Sequence, residues 1–200
     1  MQALFRVLFV ICLTVMLTTS TAWAQHALKL GAGVHFDEQT PGIGLAYDIS
    51  ASEGLVAFSP FIDFFTKSEN RVFGGGLNLV VKRPTGEKGI IYFGGGGGIG
   101  SVTSKREFDV DIGETTDRSL ETVEASRTQA MVTVLAGLEF ATTETASVFL
   151  QGKWIGMYSG NPEVITLSSG QEVAPELDVK SFAFQIGLSL NIGQSEYEGY

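Results

Sequence analysis

The stretch SFAFQIGLSLNI, residues 181–192, decides the fold. Large apolar residues occupy every second position from Phe182 to Ile192, and Ser, Ala, Gln, Gly and Asn occupy the positions between them. A period of two places successive side chains on opposite faces of a β-strand. The small and polar face suits the narrow interior of a small barrel, whereas a face of Phe, Leu and Ile suits hydrocarbon. The stretch therefore predicts one strand of a membrane-spanning barrel.

Weaker copies of this alternation, bounded by Gly, Pro, Asn and Ser, recur along the chain, and helical periodicity is almost absent. Most copies have about the 9 to 11 residues that a tilted spanning strand requires. An even count of eight is the smallest usual size for such barrels. The sequence predicts an all-β fold, a single antiparallel up-and-down transmembrane β-barrel with strands at 28–36, 42–49, 56–67, 71–82, 90–103, 128–141, 146–158 and 181–192.

Two residues interrupt the pattern. Pro60 lies inside the third predicted strand, and proline cannot donate a hydrogen bond to a strand ladder. We expect a bulge or a late strand start there. Phe149 falls on the face that is otherwise polar, so it is an exception to the alternation.

The first residues have the three-part pattern of a secretory signal. Arg6 precedes an apolar run from Val7 to Leu17, which is shorter than the roughly 20 residues of a membrane-spanning helix. Ala22 and Ala24 form an A-x-A site, and we expect cleavage after Ala24. The predicted organisation is a signal peptide at 1–24, an outer-membrane β-barrel at 25–192 and an acidic tail at 193–200, exported to the outer membrane of a Gram-negative cell.

The net charge of the chain bears on whether it binds nucleic acid. The chain has 13 Lys and Arg against 22 Asp and Glu, a net charge of −9, and nucleic-acid binding depends on clustered basic residues. We therefore expect no nucleic-acid partner. The sequence contains a single cysteine, Cys12, inside the predicted signal, so we expect no disulfide or Cys-based metal site after cleavage.

The strand pattern assigns side chains to the two faces of the barrel. The polar side chains predicted to face the lumen are Lys29, Asp48, Asp63, Lys82, Glu139 and Lys153. A narrow ion path would use such charges, but an eight-stranded interior is about wide enough for its own side chains, which favours an interior salt-bridge network. The aromatic side chains predicted to face lipid are Phe140, Trp154, Tyr158, Phe182 and Phe184.

The connections predict an orientation. Those at 51–55, 83–89 and 142–145 are short, whereas 104–127 and 160–179 are long and fall at the opposite end of the barrel. Outer-membrane barrels have short periplasmic turns and longer external loops, so the long loops are predicted to be external. Apolar residues alternate with charges in parts of both loops, which indicates protruding strands with an edge available to protein partners.

At this point the chain resembles the eight-stranded outer-membrane barrel family, similar to the barrel domain of outer membrane protein A and to outer membrane protein X. In that family the last strand carries an assembly signal: polar, any, Gly, any, any, aromatic, any, aromatic. Residues 185–192, QIGLSLNI, follow this frame, with Leu190 and Ile192 in the aromatic positions. The resemblance implies a porin-like fold surrounded by outer-membrane lipid and inserted by the barrel-assembly machinery through 185–192.

Apparent ligand motifs lack their required context. The run Gly94 to Gly100 contains a formal G-x-G-x-x-G, but no helical pattern follows it, so the glycines are interpreted as space for large neighbouring side chains or as sites of curvature. Asp109 and Asp111, with Glu114 nearby, lack the spacing of an EF-hand, and the sequence leaves open whether the acidic loop 105–124 binds a cation. We predict no cofactor and no metal site.

The histidines do not form a catalytic set. His26 follows the predicted cleavage site and His35 lies near a strand end, and no Ser–His–acid arrangement can be assembled around them. The leading hypothesis is a non-enzymatic outer-membrane barrel with a structural or surface-interaction role through the loops 104–127 and 160–179. The alternatives are a soluble periplasmic or secreted barrel that binds a small apolar ligand, with its large residues inside, and an outer-membrane lipid-modifying enzyme dependent on His35.

Overall fold

A computed structural model describes residues 25–35, 39–50, 55–67, 70–111, 118–158, 164–167, 172–174 and 177–192. The predicted signal peptide, its cleavage site and the tail at 193–200 lie outside these ranges. Among the described residues, no helix is long and apolar enough to cross a bilayer.

The chain forms a closed antiparallel barrel of eight strands in the order β1-β10-β7-β6-β5-β4-β3-β2, and a separate two-stranded sheet pairs β8 with β9. This confirms the predicted fold class. The strands are β1 Gln25–His35, β2 Thr40–Ser50, β3 Val56–Lys67, β4 Asn70–Thr85, β5 Gly89–Asp111, β6 Arg118–Ala141, β7 Ala146–Tyr158, β8 Ile165–Thr166, β9 Glu172–Val173 and β10 Val179–Asn191. We call the end with the short connections 51–55, 86–88 and 142–145 the turn end, and the other the loop end.

The connection at 104–127 consists of protruding, paired strands for most of its length, as its alternation of apolar and charged residues predicts. β5 continues to Asp111 and β6 begins at Arg118, and the two strands stay paired throughout. β4 stops pairing with β5 at Ser104, and β7 stops pairing with β6 at Ala130, so the hairpin extends beyond its neighbours. We call residues 105–111 and 118–129 the arm. The predicted strand bounds at 103 and 128 stop short of the arm, because its strands carry charges where the spanning strands carry apolar residues.

The second long connection is also partly ordered. It contains the short strands β8 and β9 and returns to the barrel at Val179, where β10 begins. Leu167 and Leu177 within it are buried, so this segment packs on the protein. The connection 160–179 therefore contains short strands, as the alternation within it predicts, and it is not exposed throughout.

The expected bulge at Pro60 is absent. The β3–β4 register passes through Pro60, which lies opposite Leu77 without a shift. On the β2 side, Ala46 pairs with Phe61 and Ile49 pairs with Phe58, and the residues between them are not paired. The register is the same before and after this gap. The missing proline N–H thus interrupts the ladder with β2 locally, and no extra residue is inserted.

Large apolar side chains are exposed around the whole outer wall. Phe182 is 61% exposed, Ile43 58% and Phe93 57%. Every barrel strand contributes at least one, for example Leu30, Ile43, Ile62, Leu77, Phe93, Val134, Tyr158 and Leu188. On β4 the band ends at Arg71 towards the loop end and at Arg83 towards the turn end, and both side chains are exposed.

Candidate functional site

The lumen at the turn end contains a buried ion-pair cluster. Lys29 Nζ lies 3.0 Å from Asp48 Oδ2 and 3.0 Å from Glu139 Oε2. Lys82 Nζ lies 2.8 Å from the same oxygen of Asp48. Two cations and two anions therefore neutralise one another inside the wall, which offsets the cost of removing them from water.

A second polar cluster occupies the middle of the lumen. Lys153 Nζ donates to Asp63 Oδ2 at 2.6 Å, and Gln185 Nε2 donates to the other carboxylate oxygen at 3.1 Å. Gln151 Nε2 donates to Gln185 Oε1 at 3.1 Å, and Gln151 Oε1 accepts from the Tyr92 hydroxyl at 3.3 Å. The structure therefore places all six charges assigned to the lumen in two ion-pair clusters.

Tyr92 connects the two clusters. Lys29 Nζ lies 4.2 Å from the centre of the Tyr92 ring, within the range of a cation–π contact. A cavity just large enough for a water molecule lies between the clusters and is lined by both of them. Tyr92, Gln151 and Gln185 each occupy an inward position in their strands, but the sequence pattern does not show that they bridge the two clusters.

The loop end of the lumen is filled by apolar side chains instead. We call this cluster the plug; its members are Phe61, Phe65, Val72, Val102, Ala125, Met131, Ile155, Met157, Leu177 and Ala183. Gly74 and Gly100 leave room for it, because a Cβ at either position would meet the side chain of Met131 or Met157. The inner face of this half of the barrel therefore holds large apolar residues, in contrast to the small and polar inner face of residues 181–192.

The connection between β7 and β10 completes the plug. Leu177 belongs to the cluster although it precedes β10, and its carbonyl oxygen accepts a buried hydrogen bond of 2.7 Å from Gln129 Nε2. Ile165 packs against the same cluster. The base of the arm is thus tied to the connection, and side chains from both cover the mouth of the barrel.

Among the described residues, no group of three or more His, Cys, Asp or Glu could hold a metal ion. The side chains of Asp109 and Asp111, and all of Glu114, lie outside the described part of the chain. His35 is buried, with its ring centre 5.3 Å from that of Phe65 in the plug, and His26 stacks on Tyr47 at 5.6 Å. The charged groups of the lumen face one another.

The five predicted lipid-facing aromatic residues lie on the outer wall. Phe140 is 52% exposed, Tyr158 47% and Phe184 42%, and Phe182 is among the most exposed apolar residues. Trp154 is only partly exposed, because its ring lies over Gly156 beside the Tyr158 ring.

The arm is polar on the outward face. Lys105 Nζ and Glu124 Oε2 form an exposed ion pair of 2.9 Å, and the hydroxyls of Thr103 and Ser126 are 3.0 Å apart below it. On the opposite face Ala125 is buried in the plug. The apolar band of the outer wall therefore ends where the arm begins.

Solved structures of outer-membrane proteins are similar to this chain. A major outer membrane protein from Thermus thermophilus has a TM-score of 0.56 at 11% identity, covering 84% of this chain and 99% of that chain. Neisserial surface protein A has a TM-score of 0.49 at 11% identity, covering 84% and 96%. The N-terminal barrel domain of OprF from Pseudomonas aeruginosa has a TM-score of 0.48 at 12% identity, covering 84% and 97%. No family model and no curated protein matches the sequence.

At such low identity, similarity to the Thermus protein shows the fold alone. That fold is the all-β barrel of outer-membrane proteins, and it confirms at the level of fold the resemblance derived from the strand pattern.

Proposed function

We propose that this protein is a non-enzymatic outer-membrane barrel with a closed lumen, which holds the arm outside the membrane as a surface for protein contacts. The observation that carries the proposal is the distribution of side chains, which is the reverse of that in a soluble protein. Large apolar residues are exposed around the outer wall, whereas six charged residues are enclosed within it. Hydrocarbon is the solvent in which such a wall is stable.

The same distribution argues against the soluble barrel with an apolar ligand. That alternative requires Phe182, Phe184, Trp154 and Tyr158 to line the interior. Phe182 is 61% exposed and the other three lie on the same outer wall. The interior between the two polar clusters has room for a water molecule and not for an apolar ligand.

The filled lumen supports a structural rather than a conducting role. Hydrated ions would have to pass paired charges in the turn-end half and then the plug, in which Phe65 and Met157 are fully buried. His35 lies against the plug, with its ring centre 5.3 Å from that of Phe65.

The arm is the surface that we propose for protein partners. Its strands pair only with each other beyond Ser104 and Ala130, so each has an outer edge without a barrel-strand partner. An extended segment of another protein can add to such an edge through main-chain hydrogen bonds. Outer-membrane lipid around the band, and the assembly machinery at 185–192, complete the proposed set of partners.

Site-directed cysteine labelling tests the proposed location and orientation. Thr122→Cys lies on the arm and Glu87→Cys lies in the β4–β5 turn at the opposite end, and both native side chains are exposed. We expect a membrane-impermeant maleimide to label Thr122→Cys in intact cells and Glu87→Cys only after the outer membrane is permeabilised. The parent chain, whose single cysteine is Cys12, is the background control.

Equal labelling of both variants in intact cells, or recovery of the protein in the soluble fraction, would contradict the proposal. Heated and unheated samples compared by gel mobility in detergent provide a check of folding for each variant. A heat-dependent mobility shift shows that the labelled molecules carry a folded barrel.

A further inference from the structure

Two aromatic rings form a platform on the outer surface of β7 near the loop end. A Cβ atom at Gly156 would lie 2.6 Å from Trp154 Cη2 and 3.1 Å from Tyr158 Cε2, so both rings reach over this glycine. Tyr158 remains exposed on its outer side. We call Trp154 and Tyr158 the rim platform.

A lysine without an ionic partner among the described acidic residues lies beside this platform. Lys180 is opposite Gly156 in the β7–β10 register, and its Nζ is 5.4 Å from the centre of the Tyr158 ring. The side chain is exposed. Lys105, by contrast, is paired with Glu124, and Lys29, Lys82 and Lys153 are paired in the lumen.

The platform marks the edge of the apolar band. Phe182 and Phe184 lie on the turn-end side of Lys180 and are exposed, whereas Thr128, beyond Tyr158 on the neighbouring strand, begins the polar face of the arm. Trp and Tyr concentrate at this level of a membrane, and lysine extends its ammonium towards the headgroups. At this level of a bilayer, the anionic groups available to an ammonium are lipid phosphates.

We propose that Lys180 and the rim platform bind the phosphate of an anionic lipid in the leaflet at the loop end. The ammonium supplies the opposite charge, the Tyr158 hydroxyl supplies a second donor, and Trp154 covers the apolar part of the lipid below. The site rests on the proposed function, because it requires β7 and β10 to face lipid. The chain carries a net charge of −9 and repels anionic lipids as a whole, so a preference for one must come from a local cation.

Trp154 can report on the site directly. The sequence has two tryptophans, and replacing Trp23 by Phe leaves Trp154 as the single emitter whether or not the leader is present. The protein isolated from membranes is reconstituted into phosphatidylcholine vesicles that contain either brominated phosphatidic acid or brominated phosphatidylcholine at equal mole fraction. Quenching of Trp154 by each brominated lipid gives their relative affinity for the adjacent site.

We expect phosphatidic acid to be preferred about fivefold, the size of one lysine–phosphate attraction at a membrane surface. Lys180→Gln should reduce the preference to about one, and Lys180→Arg should retain it. Lys88→Gln, an exposed lysine in the turn at the opposite end, is the matched control and should change nothing.

Equal quenching by the two lipids in the parent protein, or an unchanged preference in Lys180→Gln, would overturn the proposal. The heat-dependent mobility shift is measured on the same vesicles. If the shift is absent, the membrane-spanning barrel itself has failed. If the shift is present without a lipid preference, only the lipid site has failed.

Discussion

The two halves of the lumen are filled by different chemistry within one wall. The turn-end half holds Lys29, Asp48, Lys82 and Glu139 in ion pairs of 2.8 to 3.0 Å. The loop-end half holds the plug, where Phe65 and Met157 are completely buried. Both the ion-pair cluster and the plug fill the narrow lumen. They differ in how much stability is lost when one side chain is removed.

Each charge in the turn-end cluster depends on its partners for solvation, whereas each plug residue contributes only its own contacts. Removing one ion leaves another buried without its partner, which costs more than the pair contributed. Removing part of an apolar side chain leaves a cavity whose cost depends on its volume. The comparison can be tested by deleting one group from each half and one ion pair from the arm.

The largest effect is expected for Lys29→Met. This change leaves Glu139 without its described ionic partner and leaves Asp48 with Lys82 alone. We expect a loss of about 3 to 5 kcal/mol in the free energy of unfolding. Urea unfolding in lipid vesicles measures it. The double variant Lys29→Met with Glu139→Leu should recover much of this loss, and a double variant as unstable as the single one would show that the unpaired carboxylate is not the cause.

A smaller effect is expected for Met157→Ala in the plug. The residue is 0% exposed and fills the space over Gly100, so its removal leaves a cavity at the loop end. We expect a loss of about 2 to 4 kcal/mol in the same unfolding measurement. Leu188→Ala on the outer wall is the matched control, because lipid can fill the space that it vacates. A larger loss for Leu188→Ala than for Met157→Ala would argue against a tightly packed plug.

The smallest effect is expected for Lys105→Met on the arm. Its ion pair with Glu124 has side chains 40% and 52% exposed, so water already solvates both charges. We expect a change of at most about 0.5 kcal/mol in the free energy of unfolding. A loss comparable with that of Lys29→Met would mean that the arm's ion pair is shielded from water, and the contrast between lumen and arm would fail.

Alternation alone predicted the eight barrel strands, because each spanning strand must present one face to lipid and one to the lumen. The pattern ended β5 and β6 too early, because that requirement ends with the bilayer. Residues such as Lys105 and Glu124 then carry no apolar signal, although the strands remain paired. Outside the membrane, the ends of β5 and β6 are set by the pairing of the two strands with each other. The sequence of one strand alone does not show where that pairing stops.

Part of the candidate site was predictable from the sequence: the charged residues of the lumen were, and the plug was not. Charges on the inward positions are conspicuous, so Lys29 and Glu139 stood out in the sequence. The plug was not predicted as a packed cluster, because alternation places Met131 on the inner face without showing which side chains it meets there. What permits these side chains inside is glycine on another strand, such as Gly74 and Gly100. That complementarity depends on the register of the whole barrel.

The seam between β1 and β10 has a consequence for the order of events during synthesis. Ala27 lies opposite Asn191, and the backbone N–H of Ile192 donates to the carbonyl of His26 at 2.8 Å. β1 is synthesised before all other barrel strands and β10 after them. Until β10 is available, the facing edges of both strands keep unpaired main-chain groups, which are unstable in hydrocarbon. Insertion must accordingly be a late, concerted event. A chain that ended before β10 would leave this edge of β1 without its barrel partner.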